Sequence, residues 1–323
     1  MSKFGKTAGK TVFITGAAGF IGLNIAKEFV NAGWNTFALV RNNIPADLKN
    51  LPDIKIIQGD LTDKNFISNL NIDADIVVHA AGLASDTGSD EIFRKINFEP
   101  VKYLCRLPKK KFIFISSSDV YGIKDFDNAD ENTPLLEYPK NPYPKYKIKS
   151  ELWLKENCPV PYVFIRPAAV YGEGDKTIES RVIDFLRTSP FIIHFGRWRG
   201  KNRWPKADVK NVSKTVLALT LTDSFDNQAV TIIDPQKTTI DEYYREIAAK
   251  HFPGRKYKTI TLPLAAGKAL GAVSSFLSNL LHTKQPVFDP SFYAVHHVSS
   301  NLDFSSAKME QILKQHARSR SSA

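Results

Sequence analysis

Thr11-Val-Phe-Ile-Thr-Gly-Ala-Ala-Gly-Phe-Ile-Gly22 runs from an apolar strand through a glycine-rich turn into a segment with helical spacing. Gly16, Gly19 and Gly22 carry no side chain, so backbone amides and a helix N-terminus can approach a pyrophosphate closely. Ala18, Phe20 and Ile21 stand between them and share the same turn. The spacing departs from the GxGxxG dinucleotide fingerprint. A glycine turn by itself also fits a purely structural bend, and the strand before it and the helix after it carry the binding reading.

Beyond this turn, apolar runs at Thr11–Ile14, Thr36–Val40, Ile54–Ile57, Ile76–Val78, Phe112–Ile115 and Tyr162–Ile165 alternate with helical stretches such as the one through Ile25, Phe29 and Val30. Continuous rather than alternating apolar strands imply burial on both faces, which helices on each side of a parallel sheet provide. The expected fold is α/β, a doubly wound parallel sheet. Gly33 stands where a helix C-cap belongs, and Trp34-Asn35 leads into the second strand. After Tyr171-Gly172 the pattern loosens, then returns to a helix and strand through Val216–Leu221 and Val230–Ile233. The cofactor domain is therefore expected at 1–172 plus about 205–235, and a smaller discontinuous substrate lobe at about 173–204 plus 236–323.

Tyr143 is the only tyrosine followed by a lysine four residues later, Lys147. That spacing puts both on one helix face, where the cation is expected to favour the phenolate and make a base of a hydroxyl that ordinarily titrates near 10. Pro144 belongs to a first helical turn, so Tyr143 is expected at the helix start. At the end of the second strand no Asp or Glu occurs between Glu28 and Asp47, and Arg41 stands where an acid would hold an adenosine 2′-hydroxyl. A guanidinium suits a 2′-phosphate, so NADP(H) is expected over NAD(H), which stays open. The alternative is that Arg41 merely caps a strand.

With these pieces in order, the chain resembles the extended short-chain dehydrogenase/reductases, the NAD-dependent epimerase/dehydratase group, over about its first 175 residues. The resemblance rests on the glycine turn, Tyr143 and Lys147, Gly59-Asp60-Leu61, His79-Ala-Ala-Gly82, Asn97, Ser116-Ser-Ser-Asp-Val-Tyr-Gly122, Glu151 and Arg166-Pro-Ala-Ala-Val-Tyr-Gly172. It implies a Rossmann sheet and a cofactor site that includes Asp60 on the adenine, Leu61, Ala80, Ala81, Gly82, Arg166 and Pro167. It also implies that Ser117, rather than Ser116 or Ser118, bonds the reacting oxygen and that Tyr143 exchanges its proton. Lys147 would tune Tyr143 and hold the ribose, with Asn97 supporting the lysine through water. Ala207-Asp-Val-Lys-Asn-Val212 is similar to the group's HVDDVA stretch, with Asn211 in place of the second aspartate, as in steroid-dehydrogenase-like members. Nucleotide-sugar members often place an asparagine soon after the YG motif, and Gly172 to Asp184 has none. The resemblance thus leans away from sugars.

Gly196-Arg-Trp-Arg-Gly-Lys-Asn-Arg-Trp204 interleaves cations with tryptophans. It reads either as an anion clamp on the substrate, with Arg199 and Arg203, or as a surface hairpin whose tryptophans pack on the cofactor domain. Leu262 to Leu281 contains one charge, Lys268, and is better read as a helix of the substrate lobe than as a membrane-surface helix. The net charge of +11 is scattered, and the runs Lys109-Lys-Lys111 and Lys145, Lys147, Lys149 read as solvated surface, so no nucleic-acid partner is expected. Cys105 and Cys158 read as packing residues, and no metal site is expected. The polar start, Met1 to Lys10, has no leader pattern and the tail after Leu313 reads as frayed, giving the expectation of a cytoplasmic protein with no transmembrane segment. The group's members often form dimers, so a homodimer belongs to the same expectation. The expected activity is hydride transfer between a nicotinamide cofactor and a secondary alcohol or carbonyl on a small-molecule substrate, which Arg199 and Arg203 would allow to be anionic. An NDP-sugar epimerase or dehydratase using bound NAD is the alternative, and a non-catalytic NADP(H)-binding sensor or RNA-associated protein is the reading from another class.

Overall fold

The computed structural model describes residues 9–175, 178–281 and 290–321. Most of the polar start therefore lies outside the described residues, as do the last two residues of the tail. The described residues form eleven strands: β1 (Thr11–Thr15), β2 (Asn35–Val40), β3 (Lys55–Gln58), β4 (Ala74–His79), β5 (Pro108–Ile115), β6 (Tyr162–Pro167), β7 (Ala169–Tyr171), β8 (Phe191–Phe195), β9 (Lys206–Asp208), β10 (Gln228–Ile232) and β11 (Lys258–Leu262). Between and after them lie α1 (Phe20–Asn31), α2 (Ala46–Lys49), α3 (Lys64–Ser68), α4 (Asp90–Phe93), α5 (Val101–Leu104), α6 (Pro142–Asn157), α7 (Ile178–Thr188), α8 (Val209–Leu219), α9 (Ile240–His251), α10 (Leu264–Leu280), α11 (Phe292–Ser299) and α12 (Ala307–Ser321).

Seven strands form one parallel sheet in the order β10-β6-β5-β4-β1-β2-β3. The chain moves outward from β1 to β3 and then jumps back across β1 to β4, so the order reverses between β1 and β4. A crevice opens at such a reversal beyond the carboxyl ends of the strands. One apolar layer, including Ile25, Phe29, Val216 and Ile312, fills one face, and a second, including Val101, Leu104, Leu154 and Phe164, fills the other. This two-sided burial is what the continuous apolar strands predicted.

α1 ends as its sequence requires. Gly33 has φ +77, Trp34 N–H reaches back to Phe29 O at 3.1 Å, and Gly33 N–H reaches Val30 O at 3.0 Å. This is a Schellman closure, sealed by the Phe29 and Trp34 rings meeting edge-on at 5.1 Å. α6 begins at Asn141, whose side chain accepts from Tyr143 N–H at 2.8 Å, with Pro142 in the first helical position. Tyr143 accordingly sits at the helix start, as expected.

Several expectations need correction. Lys111 is not solvated: it is buried, and its ammonium donates to Leu219 O at 3.1 Å and Thr222 O at 2.6 Å while pairing with Asp226 at 2.6 Å. The carbonyls that end α8 lack intrahelical donors, and a buried cation at that terminus supplies them. Lys147 is buried as well. The tail is not frayed from Leu313, since α12 continues to Ser321, anchored by Met309 and Ile312 in the core beside α8 and β10. β7 pairs with β9 and β8 with β11 as small separate sheets. Of the two tryptophans expected to pack on the cofactor domain, Trp198 does reach it, donating to Asp125, whereas Trp204 packs on Tyr243 and His297.

Candidate functional site

At the order reversal, the turn after β1 and the loop after β4 are in contact. A Cβ on Gly16, which has φ +70, would stand 2.6 Å from Ala81 N, and one on Gly22 would stand 2.2 Å from Gly16 O. Both contacts are too close for any side chain, so these glycines bring the first turn of α1 hard against the end of the sheet. Gly19 is the N-cap of α1 and no side chain caps that end, leaving the amides of Phe20, Ile21 and Gly22 as first-turn donors. Ala17 and Ala18 continue the same turn, and Ala17 N–H is held by Leu39 O at 3.2 Å. These residues fit a dinucleotide pyrophosphate.

Other expected cofactor residues border the same crevice. Arg41 follows β2 directly and is exposed, and no carboxylate pairs with it among the described residues. Asp60 lies just beyond β3 and accepts from both the amide and the hydroxyl of Thr62 at 2.8 Å. Gly59 is bare because the Phe66 ring occupies the place of a Cβ, and Leu61 joins that apolar layer. Across the crevice, a Cβ on Gly82 would stand 3.4 Å from Asn97 Oδ1 and 3.5 Å from Lys147 Nζ. Asn97 sits in a π-turn, Arg94–Phe98, between α4 and α5. π-bulges of this kind recur at functional sites. The Asn97 side chain accepts from Leu83 N–H at 2.7 Å and donates to Leu83 O at 3.0 Å, while its own carbonyl accepts from Ser150 Oγ at 3.0 Å. Asn97 thus pins the loop after β4 to the helix.

The three serines after β5 face different ways. Ser116 donates to Glu151 Oε1 at 2.6 Å in the interior. Ser117 adopts φ −159 and opens the 3₁₀ turn Ser118–Tyr121 by accepting from Asp119 N–H at 3.2 Å. Its hydroxyl also stands near enough to the Tyr143 hydroxyl to favour that group's ionised form. Lys147 lies one turn farther along α6, with Nζ donating to Ile115 O at 2.7 Å, over the Phe114 ring and 6.0 Å from the centre of the Tyr143 ring. Burial pulls this ammonium down to about 8, with Glu151 partly restoring it. His79 nearby is held neutral by burial and by Lys147, its titration falling to about 3.

One expectation about these groups does not hold. The Tyr143 hydroxyl is raised, not lowered, from its ordinary 10.0: burial is the larger cause and the Asp119 carboxylate adds to it, while the Ser117 hydroxyl opposes both. Arg166, expected on the cofactor, is 3% exposed and held in the interior, donating from Nε and Nη2 to Glu151 and from Nη1 to the Tyr121 hydroxyl. Tyr121 continues this chain to Thr231 at 2.9 Å. Pro167 ends β6, buried beside it. Arg199 is exposed in a turn at φ +51, and the Arg203 amide donates to Asn301 Oδ1 at 2.8 Å. Asn211 donates to Asp234 at 3.0 Å, which also accepts from Tyr171 at 2.7 Å.

Sequence reading missed the groups that face Tyr143 from the second region. Asp119 accepts from Tyr293 OH at 2.7 Å and meets His297 Nε2 at 3.5 Å, both on α11. Asp86, paired with Arg181 at 3.0 Å and accepting from Ser291 at 2.7 Å, stands close by. The available signals were the place of Asp119 inside the serine motif and the four-residue spacing of Tyr293 and His297. Burial works against a charged His297, yet Asp119 and Asp86 outweigh it and raise the ring above 6.5. A raised histidine stabilises the fold below its unfolded pKa, and that contribution is lost as pH climbs through the folded value. Thermal stability should therefore decline as pH rises from about 6.5, and His297→Gln should flatten that part of the melting-temperature profile. Parallel profiles for the two proteins would count against the pair.

The family model described as NAD dependent epimerase/dehydratase family matches residues 12–228. The sterol-4-alpha-carboxylate 3-dehydrogenase, decarboxylating, of Candida albicans is 25% identical over 320 residues, covering 87% of this chain and 86% of its own. The dTDP-D-glucose 4,6-dehydratase of Mus musculus is 29% identical over 234 residues, 64% of each chain. Among solved structures, the Bordetella bronchiseptica enzyme WbmH in complex with NAD+ superposes with TM-score 0.66 at 21% identity, covering 78% of this chain and 86% of that one. That likeness is one of fold. No helix among the described residues is long and apolar enough to cross a membrane. The chain belongs to the NAD dependent epimerase/dehydratase family, and it is a nicotinamide-dependent enzyme of the extended short-chain dehydrogenase/reductase group.

Proposed function

We propose that the chain interconverts a secondary alcohol and a carbonyl, with Ser117, Tyr143 and Lys147 as its reacting and supporting groups. The observation that carries this reading is that buried Lys147 lies one turn from Tyr143, with Nζ 6.0 Å from the centre of the tyrosine ring and beside Gly82, while Ser117 acts on the Tyr143 hydroxyl from the loop after β5. A bound nicotinamide supplies the hydride acceptor or donor. Ser117 orients the substrate oxygen, and Tyr143 gives or takes the proton at its hydroxyl. Lys147 places positive charge in a dry site where it favours the phenolate once its ammonium turns from Ile115 toward the tyrosine. Asn97 keeps the loop carrying Gly82 in place.

The substrate we favour is an apolar alicyclic alcohol or ketone without a nucleotide. Near full-length similarity to a sterol dehydrogenase supports it, as does Asn211 in the HVDDVA-like stretch. Similarity to a dTDP-sugar dehydratase supports the second reading, transient oxidation of a nucleotide sugar, with Arg199 and Arg203 as candidate anion contacts. Release of free carbonyl product with net cofactor turnover separates the first reading from the second.

For the cofactor we propose NADP(H), because exposed Arg41 follows the second strand with no carboxylate beside it among the described residues. Arg41→Asp should weaken NADPH roughly 10–100-fold, the scale of a lost charge-assisted contact to phosphate, and leave NADH nearly unchanged. Fluorescence titration of the four tryptophans reads both affinities, and equal losses would remove Arg41 from the site.

A further inference from the structure

α10 has two unlike sides. Its buried side holds α11: a Cβ on Gly271 would stand 2.7 Å from the Phe292 backbone, and Ser275 Oγ accepts from Phe292 N–H at 3.1 Å. Gly267 rests on the Phe195 ring in the same way, and Ser274 and Ser278 are fully buried between them. The opposite side is apolar and open. Leu270, Val273, Phe276, Leu280 and Leu281 are 47, 53, 66, 62 and 61% exposed. Large apolar side chains are normally scattered singly over a protein surface, and a continuous stripe along one helix face marks an interaction site.

The stretch of chain that leads into and forms this helix is cationic. From Gly254 to Leu281 the chain has four cations, Arg255, Lys256, Lys258 and Lys268, and no Asp or Glu. The N-terminal end of α10 abuts the turn at Gly196, where a Cβ would stand 3.4 Å from Leu264, and that turn exposes Arg197, Arg199 and Lys201. Asp125 engages one of these cations, Arg197.

We propose that this face of α10 lies in the interface of an anionic lipid bilayer, in the plane of the membrane, with its apolar side chains among the acyl chains and the flanking cations on lipid phosphates. A span is ruled out by the helix itself, which is neither long nor apolar enough to cross. A second copy of the chain on the same face would bring two cationic rims together, whereas anionic headgroups neutralise them. The placement has a consequence for the site. α11, seated on the buried side of α10, delivers Tyr293 and His297 to Asp119 beside Ser117, so one helix separates the lipid surface from the reacting groups. The proposal concerns the helix and not the reaction, and its test is independent of the roles given to Ser117 and Tyr143.

The test is co-sedimentation of the full chain with sucrose-loaded vesicles of phosphatidylcholine alone or mixed with phosphatidylglycerol. The wild-type protein should sediment with the mixed vesicles and much less with the neutral ones. Val273→Glu/Phe276→Glu should lower the partition coefficient about tenfold or more, with melting temperature and cofactor affinity unchanged. In a second arm, Phe276→Trp should be quenched by brominated acyl chains in the mixed vesicles, which reports insertion without depending on a disruptive variant. Wild-type protein left in the supernatant, equal sedimentation of the glutamate variant, an unquenched indole in the Phe276→Trp protein, or a wild-type dimer that the glutamate variant dissolves would each overturn the proposal.

Discussion

Tyr143→Phe should fold, melt with the wild type and bind cofactor, yet turn over about 10²–10⁴ times more slowly, the range that a positioned proton donor contributes. The substitution removes one buried oxygen near Ser117. Its backbone amide still satisfies Asn141 at the start of α6, so the helix loses nothing. Because burial and Asp119 hold this hydroxyl above its ordinary range, the proton must be moved by a change at Lys147 or at the substrate oxygen. The effect should therefore appear mainly in kcat rather than KM. Single-turnover rates at saturating cofactor measure it, and a variant within a few-fold of wild type would remove Tyr143 from the reaction.

Arg166→Met should cost about 3–5 kcal/mol, because it leaves Glu151 charged and buried with no counter-ion. Glu151 and Arg166 are 0% and 3% exposed, so solvent does little to soften the loss. The same change strands the Tyr121 hydroxyl at the other end of the guanidinium. For a chain of this size the melting temperature should fall by roughly 10 °C. Glu151→Gln/Arg166→Met should lose less than the sum of the single changes, since neither partner then keeps an unmatched charge. Additive losses in denaturant melts would show that the pair is not coupled.

The main sheet was legible because five of its strands, β1, β2, β4, β5 and β6, carry uninterrupted apolar runs between turn residues, a pattern that burial on both faces enforces, while the edge strand β3 is broken by Lys55. The glycine turn was legible for a similar reason: at Gly16 and Gly22 there is no room for a Cβ, and glycine alone among the residues fits such a place. The small pairs β7–β9 and β8–β11 were not, since three to five residues of mixed polarity carry no clear period. Lys111 misled because the carbonyls that hold it, at Leu219 and Thr222, come from residues more than a hundred positions away. The same distance hid Tyr293 and His297, whose partner Asp119 lies more than 170 positions earlier. Tyr143 and Lys147 were easy to pair from spacing alone. The direction of the Tyr143 shift was not, because it depends on desolvation and on a carboxylate from a neighbouring loop.

The last strand of the large sheet also has a history in time. β10 pairs with β6 through Gln228 and Val163, and the chain between them makes the whole excursion through β7, α7, β8, β9 and α8. As the protein emerges from the ribosome, β6 must wait with an open hydrogen-bonding edge until residues 228–232 arrive. The cover that α12 provides over α8 and β10 comes later still, with Met309 and Ile312. Non-local parallel pairings of this kind form slowly, and an unpaired apolar edge is a template for wrong partners. A nascent chain stalled between the glycine turn and the final helix would carry a nearly complete cofactor crevice on an unfinished sheet, and chaperones would have most to protect in that interval.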